Sequence, residues 1–329
     1  MLFVHGLGHF HPENVITNAF LESLDIGTDD EWILERVGIR ERRTVLPLDY
    51  IRATRNADVR AAREAALYDN AETGARAACL ALERAGIPLE QIGLVISGGC
   101  GSDYDIPPDA ARIAARLGLR AAAVDLSAAC SSFGVQLHFL ASFRPEAMPD
   151  FVLIVQPENT TRVVDYRDRA SCVLWGDGTA AAVVSSRVPC RVRVDLTSLA
   201  SNPAGWDKVT IPTAGHFTQD GRGVQIFAIK TTRKLLAGIR AQVAEPSRLK
   251  FVGHQTNMLM LQAVCRYCDI PEDCHLHNVR SYGNTGAAGA PSVLSQAWDT
   301  LQDGDEIAVA VVGSGLTWSG LRLTVGGVA

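Results

Sequence analysis

The chain has 329 residues, of which 47% are hydrophobic and 20% are charged, so it can bury a sizeable core as one large domain or as two fused halves. Its formal net charge of −5 and the lack of a basic cluster exclude the usual footprint of a nucleic-acid partner or an anionic membrane surface. We expect no membrane association, because no apolar run approaches the roughly 20 residues of a spanning helix, and no secretory signal, because Met1–Gly6 has no basic region followed by an apolar one.

Short apolar runs alternate with helical patterns along the chain, which predicts an α/β protein with buried, largely parallel strands. The predicted strands are Ile92–Ser97, Ala122–Leu126, Phe151–Gln156, Thr179–Ser185, Lys250–Gly253 and Glu306–Val312. The predicted helices are Ala71–Ala85, Asp109–Leu117, Phe133–Phe143, Ile229–Val243 and Met258–Cys268.

Residues 45–74 differ in composition from the rest of the chain, because Leu48–Asn56 leads into a stretch rich in Ala, Arg and Glu at Ala57–Tyr68. We predict an inserted helical segment with a charged outer face. Two interpretations stay open for it, a solvated surface helix and a wall of the opening through which a substrate or carrier enters.

The chain contains a topological repeat. In each half a helix, a strand, a second helix and a turn of small residues are followed by an apolar strand. The small-residue turns are 127–132 and 283–291. We therefore predict two similar halves, residues 1–187 with the inserted segment and residues 188–329, each donating one turn to a shared centre.

Three segments place a reactive side chain where a core strand ends. Cys130 lies in a cluster of small residues between a strand and a helix, where helix N–H groups and the positive end of the helix dipole favour a thiolate. His254 ends an apolar strand and begins a polar patch, and Asn284 lies in a turn rich in Gly and Ala. Each has an ordinary structural interpretation on its own, as a core thiol, a satisfied polar group and a turn residue.

Together the three side chains form a coherent chemical set. A Cys130 thiolate can attack a thioester and hold the acyl group covalently. His254 and Asn284 can both donate hydrogen bonds to a carbonyl oxygen that gains negative charge, as decarboxylation of a malonyl group to an enolate requires. The glycine-rich loop 313–317 can add a backbone N–H opposite that of Cys130 as an oxyanion hole.

The chain resembles the β-ketoacyl-ACP synthase III-type condensing enzymes of the thiolase superfamily over most of its length. Six segments carry this resemblance in the order of the family: Pro12–Asn18, Glu31–Arg43, Trp175–Ala181, His254–Asn257, Gly283–Thr285 and Gly315–Trp318. The second is close to the family pattern W-I-x-x-R-x-G-I-x-x-R-R, and the third resembles the pattern G-D-G-A/T-A-A.

The resemblance implies a five-layered αβαβα fold, a homodimer and a ping-pong Claisen condensation with acyl carrier protein and CoA thioesters as partners and no cofactor. Cys130 would be acylated, while His254 and Asn284 would drive decarboxylation of a malonyl group. The backbone N–H groups of Cys130 and Ser314 would form the oxyanion hole. The implied CoA contacts are Trp32, Arg36 and Arg162.

The chain departs from the family pattern in three places. Leu259 stands where the family often has an arginine five residues after its histidine, and Gln225 stands near the position of a tunnel phenylalanine. Residues 45–74 are longer than in typical housekeeping members. These departures favour a specialised member with another acyl donor over the usual acetyl-CoA priming role.

Other motifs have simpler explanations. Cys265, Cys268, Cys274, His275 and His277 have the content of a zinc site but not its spacing, and we expect no metal there or at His5, His9 and His11. The remaining cysteines are expected to fill the core of a protein in a reducing cytoplasm, since eight cysteines in a chain of this size do not make a dense disulfide framework. Gly6-Leu7-Gly8 lacks the third glycine of a dinucleotide loop.

A second function on the same fold stays open from the sequence. An acyltransferase would pass the acyl group to an alcohol or an amine without forming a carbon–carbon bond, and it would not need the pair of His254 and Asn284. A thiolase is disfavoured because Ser314 occupies the loop in which a second catalytic cysteine would lie.

Overall fold

The computed structural model describes residues 1–326. The strands are β1 (Leu2–Phe10), β2 (Asn14–Thr17), β3 (Glu41–Thr44), β4 (Ile92–Ser97), β5 (Ala122–Asp125), β6 (Phe151–Glu158), β7 (Gly178–Ser185), β8 (Val192–Ser201), β9 (Val209–Thr210), β10 (Thr218–Gln219), β11 (Lys250–Gly253), β12 (Glu306–Gly313) and β13 (Thr317–Val325). The α-helices are α1 (Asn18–Glu22), α2 (Asp30–Val37), α3 (Leu48–Thr54), α4 (Val59–Ala65), α5 (Asn70–Ala85), α6 (Asp109–Leu117), α7 (Ser132–Ser142), α8 (Arg169–Cys172), α9 (Gly221–Arg240), α10 (Met258–Tyr267), α11 (Val279–Tyr282) and α12 (Gly289–Ala297).

Nine strands are hydrogen-bonded in the order β11-β12-β13-β8-β1-β7-β6-β4-β5. The helices α7 and α12 each contact strands of both ends of this order, so they form a central layer between two groups of strands. The helices α5 and α9 cover the outer faces, on β1 and β7 and on β12 and β13 respectively. The predicted α/β class and the five-layered αβαβα arrangement are confirmed.

The two halves repeat the same pairings. In the first half, β1–β7 and β7–β6 are antiparallel and β6–β4 is parallel. In the second half, β8–β13 and β13–β12 are antiparallel and β12–β11 is parallel. His275 makes a parallel bridge to Phe251 of β11, on the side where β5 pairs with β4 in the first half. Equivalent strands therefore end at one shared centre.

The glycines of β1 allow α5 to lie directly on the sheet. A Cβ atom on Gly6 would lie 2.2 Å from the carbonyl oxygen of Ala81, and one on Gly8 would lie 2.0 Å from that of Ala77. Both neighbours are backbone atoms of a packed helix, so any side chain at these positions would push α5 off the sheet. Gly6-Leu7-Gly8 is thus the middle of strand β1 and not a loop.

Two sequence predictions of helices need correction. The helix α9 begins at Gly221, eight residues before the predicted Ile229, because the Asp220 carboxylate caps it by accepting a hydrogen bond from the N–H of Gly223. The inserted segment forms two short helices, α3 and α4, and not a single one. Arg55 and Asn56 take left-handed backbone conformations between them, with φ of 54° and 52°.

The inserted segment is tied to the body of the protein by a buried side chain. The amide of Asn56 donates hydrogen bonds to the carbonyl oxygens of Arg162 at 3.0 Å and Val164 at 2.8 Å. The last residues of the predicted segment, 70–74, belong to α5 of the core.

The predicted division at residue 187 falls between β7 and β8, and as a domain boundary it stays a prediction. Within residues 1–326, none of the helices is both long and apolar enough to cross a membrane.

Candidate active site

Cys130 lies on a tight turn directly before α7, at the end of the segment that follows β5. Ala129 takes a left-handed conformation with φ of 48°, which is uncommon for a residue with a side chain and aims the next residue out of the strand direction. The N–H groups of Ser131 and Ser132 are bound to the carbonyl oxygens of Ala128 and Ala129. The Cys130 side chain is buried at the N-terminal end of an eleven-residue helix.

Side-chain hydroxyls and the loop after β12 fix this turn. Ser132 Oγ accepts a hydrogen bond from the Ala128 N–H at 2.9 Å and donates one to the Ala129 carbonyl at 2.6 Å. Gly313 lies so close that a Cβ atom on it would be 2.9 Å from the Ser131 nitrogen and 3.1 Å from the Cys130 nitrogen. The backbone just before Ser314 therefore touches the backbone of the Cys130 turn.

His254 is the first residue after β11 and is buried. Its N–H donates to the carbonyl oxygen of Ala310 on β12 at 2.9 Å, which continues the parallel pairing for one more residue. The next residue, Gln255, is fully buried, and its amide oxygen accepts hydrogen bonds from the N–H groups of Asn278 at 3.1 Å and Val279 at 3.3 Å. These contacts hold the imidazole at the strand end.

Asn284 is buried in the turn after α11. Its side-chain oxygen accepts a hydrogen bond from the Gly286 N–H at 3.0 Å, and its backbone N–H donates to the carbonyl oxygen of Leu174 at 2.8 Å. Because the side-chain oxygen is already occupied by that turn, the amide NH₂ is the group left to donate to a ligand.

One cavity of about 320 Å³ collects these groups. Cys130, His254, Asn284 and Ser314 all line it. Much of its wall is apolar, with Val37, Val173, Leu174, Trp175, Phe217 and Leu316. The structure thus brings together the predicted nucleophile, both predicted hydrogen-bond donors and the glycine-rich loop, in a site with few competing polar groups.

Trp32 and Arg36, two of the three predicted CoA contacts, also line the cavity. The Arg36 guanidinium lies 4.2 Å from the centroid of the Trp32 ring, and that of Arg169 lies 5.0 Å from it. Arg169 is not predicted from the sequence, because it begins the four-residue helix α8, which is too short to give a periodic signal. An aromatic ring flanked by two cations can stack on a base and neutralise nearby phosphates.

Arg162 is placed elsewhere. Its guanidinium is buried, pairs with Asp103 at 2.7 Å, and donates further hydrogen bonds to Asn70 at 2.8 Å and the carbonyl of Asn159 at 2.9 Å. The structure does not bring it to the cavity, and its donors are occupied within the fold. We therefore leave Arg162 out of the proposed CoA site.

The electrostatics of the cavity favour a reactive sulfur. A hydrogen bond from the Cys100 thiol, together with the hydrogen bond and charge of His254, lowers the pKa of the Cys130 thiol well below its usual value despite burial. The Sγ atoms of Cys100 and Cys130 are 3.4 Å apart. Close by, burial and then the charge of Cys130 raise the pKa of the Glu158 carboxyl to about 8.

Cys100 and Glu158 were not predicted. Glu158 is the last residue of β6, and a carboxylate that ends a wholly buried strand is the one signal that could have pointed to it. Cys100 lies in Gly98–Gly101 after β4, a pattern that predicts only a loop. Its contact with Cys130 joins loops from different strands, which a single sequence does not reveal.

A basic stripe, defined by Lys230, Arg233, Lys234 and Arg240, runs along α9 beside a groove bordered by Tyr267 and Asp269. The Arg233 guanidinium lies over the Tyr267 ring at 4.1 Å from its centroid. The first two turns of the same helix line the cavity at Val224, Gln225 and Phe227. The basic stripe therefore begins at Lys230, two residues beyond Ala228, the last residue of α9 that lines the cavity.

Side chains of the two metal-like motifs make ordinary packing and hydrogen-bond contacts. The His275 ring stacks on Phe251, with 5.8 Å between centroids, and His9 Nδ1 lies 2.8 Å from the hydroxyl of Ser295. Across residues 1–326, no group of three or more His, Cys, Asp or Glu side chains is arranged to hold a metal ion. None of residues 45–74 lines the cavity, so the structure gives no support to their role at its opening.

Comparison with known proteins gives a consistent result. Residues 124–202 match the family model of 3-oxoacyl-[acyl-carrier-protein] synthase III, and residues 241–325 match the model of its C-terminal region. The β-ketoacyl-[acyl-carrier-protein] synthase III of Sulfurovum sp. (strain NBC37-1) is 32% identical, over 98% of this chain and 95% of that protein.

Solved structures agree with the sequence relatives. The β-ketoacyl-[acyl carrier protein] synthase III of Thermus thermophilus has a TM-score of 0.86 at 30% identity, covering 99% of this chain and 100% of the other. The priming β-ketosynthase from the R1128 polyketide biosynthetic pathway has a TM-score of 0.82 at 26% identity, covering 99% and 96%.

Proposed function

The chain belongs to the β-ketoacyl-[acyl-carrier-protein] synthase III family, and we propose that it condenses an acyl group held on Cys130 with a malonyl thioester. It is an acyltransferase of the thiolase fold. The observation that carries the proposal is that Cys130, His254 and Asn284, from three separate segments of the chain, line one largely apolar cavity. The reaction draws only on two thioester substrates and on the chain's own groups.

In the first half-reaction the Cys130 thiolate attacks the carbonyl carbon of an acyl thioester. The carbonyl oxygen gains negative charge and accepts hydrogen bonds from the backbone N–H groups of Cys130 and Ser314. The intermediate collapses with cleavage of the bond to the donor sulfur, which leaves as a thiolate and is protonated. The close packing of Gly313 on the Cys130 turn supports this pairing of N–H groups.

In the second half-reaction the malonyl thioester loses CO₂. The electron pair of the broken carbon–carbon bond moves to the thioester oxygen, where the imidazole N–H of His254 and the amide of Asn284 stabilise the enolate. The enolate carbon then attacks the acyl group, and the Cys130 sulfur leaves as a thiolate. Transfer to an alcohol or an amine needs no enolate, so the placement of Asn284 favours condensation.

We propose that CoA donors bind with the adenine against Trp32, between Arg36 and Arg169. A carrier protein with an acidic surface would dock on the basic stripe of α9, which adjoins the cavity-lining turns of the same helix. We propose a role in fatty-acid or polyketide-type synthesis, which the resemblance to a polyketide priming synthase and to synthases named for acyl carrier protein supports.

We further propose a homodimer formed through β5. This strand is the edge of the nine-stranded sheet, and Val124 on it is 49% exposed. Half of the ten large apolar side chains that are exposed in the described chain lie between residues 104 and 143: Tyr104, Ile106, Val124, Phe139 and Phe143. An unpaired edge with apolar surroundings is a pairing site for a second copy.

All eight cysteines are free thiols, which supports a cytoplasmic location.

Intact-mass spectrometry with a panel of acyl-CoA and acyl-carrier thioesters tests the proposal. Wild-type protein is expected to gain one acyl group, and Cys130→Ala none. Adding a malonyl carrier thioester is then expected to release CO₂ and a β-keto product. Acylation that persists in Cys130→Ala contradicts the assignment of the nucleophile.

The Asn284→Ala variant separates the two half-reactions. It is expected to be acylated on Cys130 as wild type is, while CO₂ release falls by about 10²-fold, the usual effect of removing one such donor. If instead the acyl group passes to an alcohol or an amine at full rate in both proteins, the chain is a transferase without condensation.

A further inference from the structure

A second thiol touches the sulfur of Cys130 and has no part in the condensation. Cys100 lies in the loop after β4, with its Sγ atom 3.4 Å from that of Cys130. Among residues 1–326, no other pair of cysteine side chains is hydrogen-bonded to each other. The other six cysteines therefore provide internal controls.

The fold holds the loop of Cys100 in this position. The Cys100 N–H donates to Glu158 at 3.0 Å, the Asn70 amide donates to the Gly101 carbonyl at 3.0 Å, and Asp103 forms a buried ion pair with Arg162. On the other side, the Gly99 N–H donates to Ser127, which lies in the turn of Cys130, at 3.0 Å. Both loops are anchored by these hydrogen bonds, so the fold itself holds the two sulfur atoms next to each other.

We propose that Cys100 and Cys130 are an oxidative modification site, at which a peroxide that enters the cavity closes a reversible disulfide. A disulfide bond of about 2.0 Å needs the two sulfurs, now 3.4 Å apart, to approach by roughly 1.4 Å. The cavity opening gives small oxidants access to Cys130.

The reaction is balanced with hydrogen peroxide as oxidant. The Cys130 thiolate attacks one peroxide oxygen, the O–O bond breaks, and Cys130 becomes a sulfenic acid while hydroxide takes up a proton and leaves as water. The Cys100 sulfur then attacks the Cys130 sulfur, and its proton leaves with the hydroxyl group as a second water. Two thiols are oxidised and one peroxide is reduced.

The order of these steps follows from the charges. The hydrogen bond to Cys130 is the leading cause that raises the pKa of the Cys100 thiol, so Cys100 stays protonated while Cys130 is a thiolate. Once Cys130 is a neutral sulfenic acid, that cause disappears, and the proton of Cys100 can pass to the leaving hydroxyl group as the Cys100 sulfur attacks. The disulfide then keeps Cys130 from the irreversible sulfinic and sulfonic states.

The test compares wild type, Cys100→Ser and the control Cys268→Ser, a half-buried cysteine away from the cavity. Full-length protein is treated with hydrogen peroxide and measured by intact mass and peptide mapping, with no acyl substrate. Wild type and Cys268→Ser are expected to lose about 2 Da through a bond between Cys100 and Cys130, and dithiothreitol is expected to restore the mass. Cys100→Ser is expected to gain about 32 Da at Cys130, which dithiothreitol does not remove.

Three results overturn the proposal: sulfinic acid forming on Cys130 at the same rate in wild type and Cys100→Ser, a disulfide that maps to another pair, or no change in Cys130 at all. If Cys100→Ser does not fold, mapping of the wild-type disulfide decides alone. The peroxide test uses no thioester, so it is independent of the proposed condensation. If the disulfide forms but no acyl donor labels the protein, the condensation is contradicted and the modification site is not.

Discussion

The Glu158 carboxyl is buried beside the two sulfurs and has no role in the proposed condensation. One of its oxygens accepts from the N–H groups of Cys100 at 3.0 Å and Ala287 at 2.7 Å, and the other from the Thr160 hydroxyl at 3.0 Å. In Glu158→Gln the amide oxygen can still accept hydrogen bonds from the N–H groups of Cys100 and Ala287. The new NH₂ group faces the Thr160 hydroxyl, which can rotate to accept a hydrogen bond from it. The variant therefore removes a titration and retains the hydrogen bonds.

Burial, followed by the charge of Cys130, raises the pKa of Glu158 from 4.5 to about 8. Between these values the folded protein keeps a proton that the unfolded chain has lost. The stability linked to this group is complete below pH 4.5 and falls by about 1.4 kcal/mol per pH unit up to pH 8. The full loss of about 5 kcal/mol corresponds to about 7 °C in melting temperature for a chain of this length.

Melting temperatures of wild type and Glu158→Gln between about pH 5 and about pH 9 test this, because their difference cancels other titrating groups. As the pH rises, the melting temperature of Glu158→Gln is expected to increase by several degrees relative to that of wild type. The control Glu90→Gln changes an exposed residue, and its melting temperature is expected to follow that of wild type. A difference that is flat with pH, or that shrinks as pH rises, would refute the raised pKa.

Three further substitutions test the site. Gly313→Ala is expected to cost about 1–3 kcal/mol of stability and to slow acylation at least about tenfold, because its Cβ would press on the backbone of Cys130. The control Gly238→Ala places its Cβ in open space and is expected to stabilise α9 by up to about 1 kcal/mol. Equal acylation rates in the two would contradict the contact. Trp32→Ala is expected to raise KM for an acyl-CoA about tenfold with little change in kcat, and the exposed Trp206→Ala to change neither; steady-state kinetics decide. Lys234→Glu is expected to raise KM for the malonyl carrier protein several-fold but not that for acyl-CoA, and equal effects on both would disprove docking on the basic stripe.

The sequence predicted the fold and the meeting of Cys130, His254 and Asn284 for one reason. Each follows an apolar run or a small-residue turn, and such runs end together when strands of two similar halves share a centre. The predicted strands do not include β1, β8 and β13, although all three lie in the nine-stranded sheet. The burial of β8 is partial along most of its length, so its sequence lacks the continuous apolar run of a core strand.

The residues missed at the site act across loops. Arg169 reaches Trp32 from a helix of four residues, and Cys100 reaches Cys130 from a glycine-rich loop thirty residues earlier. Neither the period of a helix nor that of a strand encodes such contacts. Arg162 shows the opposite error, because a matching motif suggested a ligand contact where the fold uses the guanidinium to neutralise Asp103.

The basic stripe of α9 lies on a chain whose net charge is −5. An anionic carrier is thus repelled by the molecule as a whole at long range and attracted by the stripe only within about one Debye length, roughly 8 Å at physiological ionic strength. Added salt first screens the distant repulsion and later the local attraction. The association rate is therefore expected to pass through a maximum at intermediate ionic strength, instead of falling steadily as it does between partners of opposite net charge.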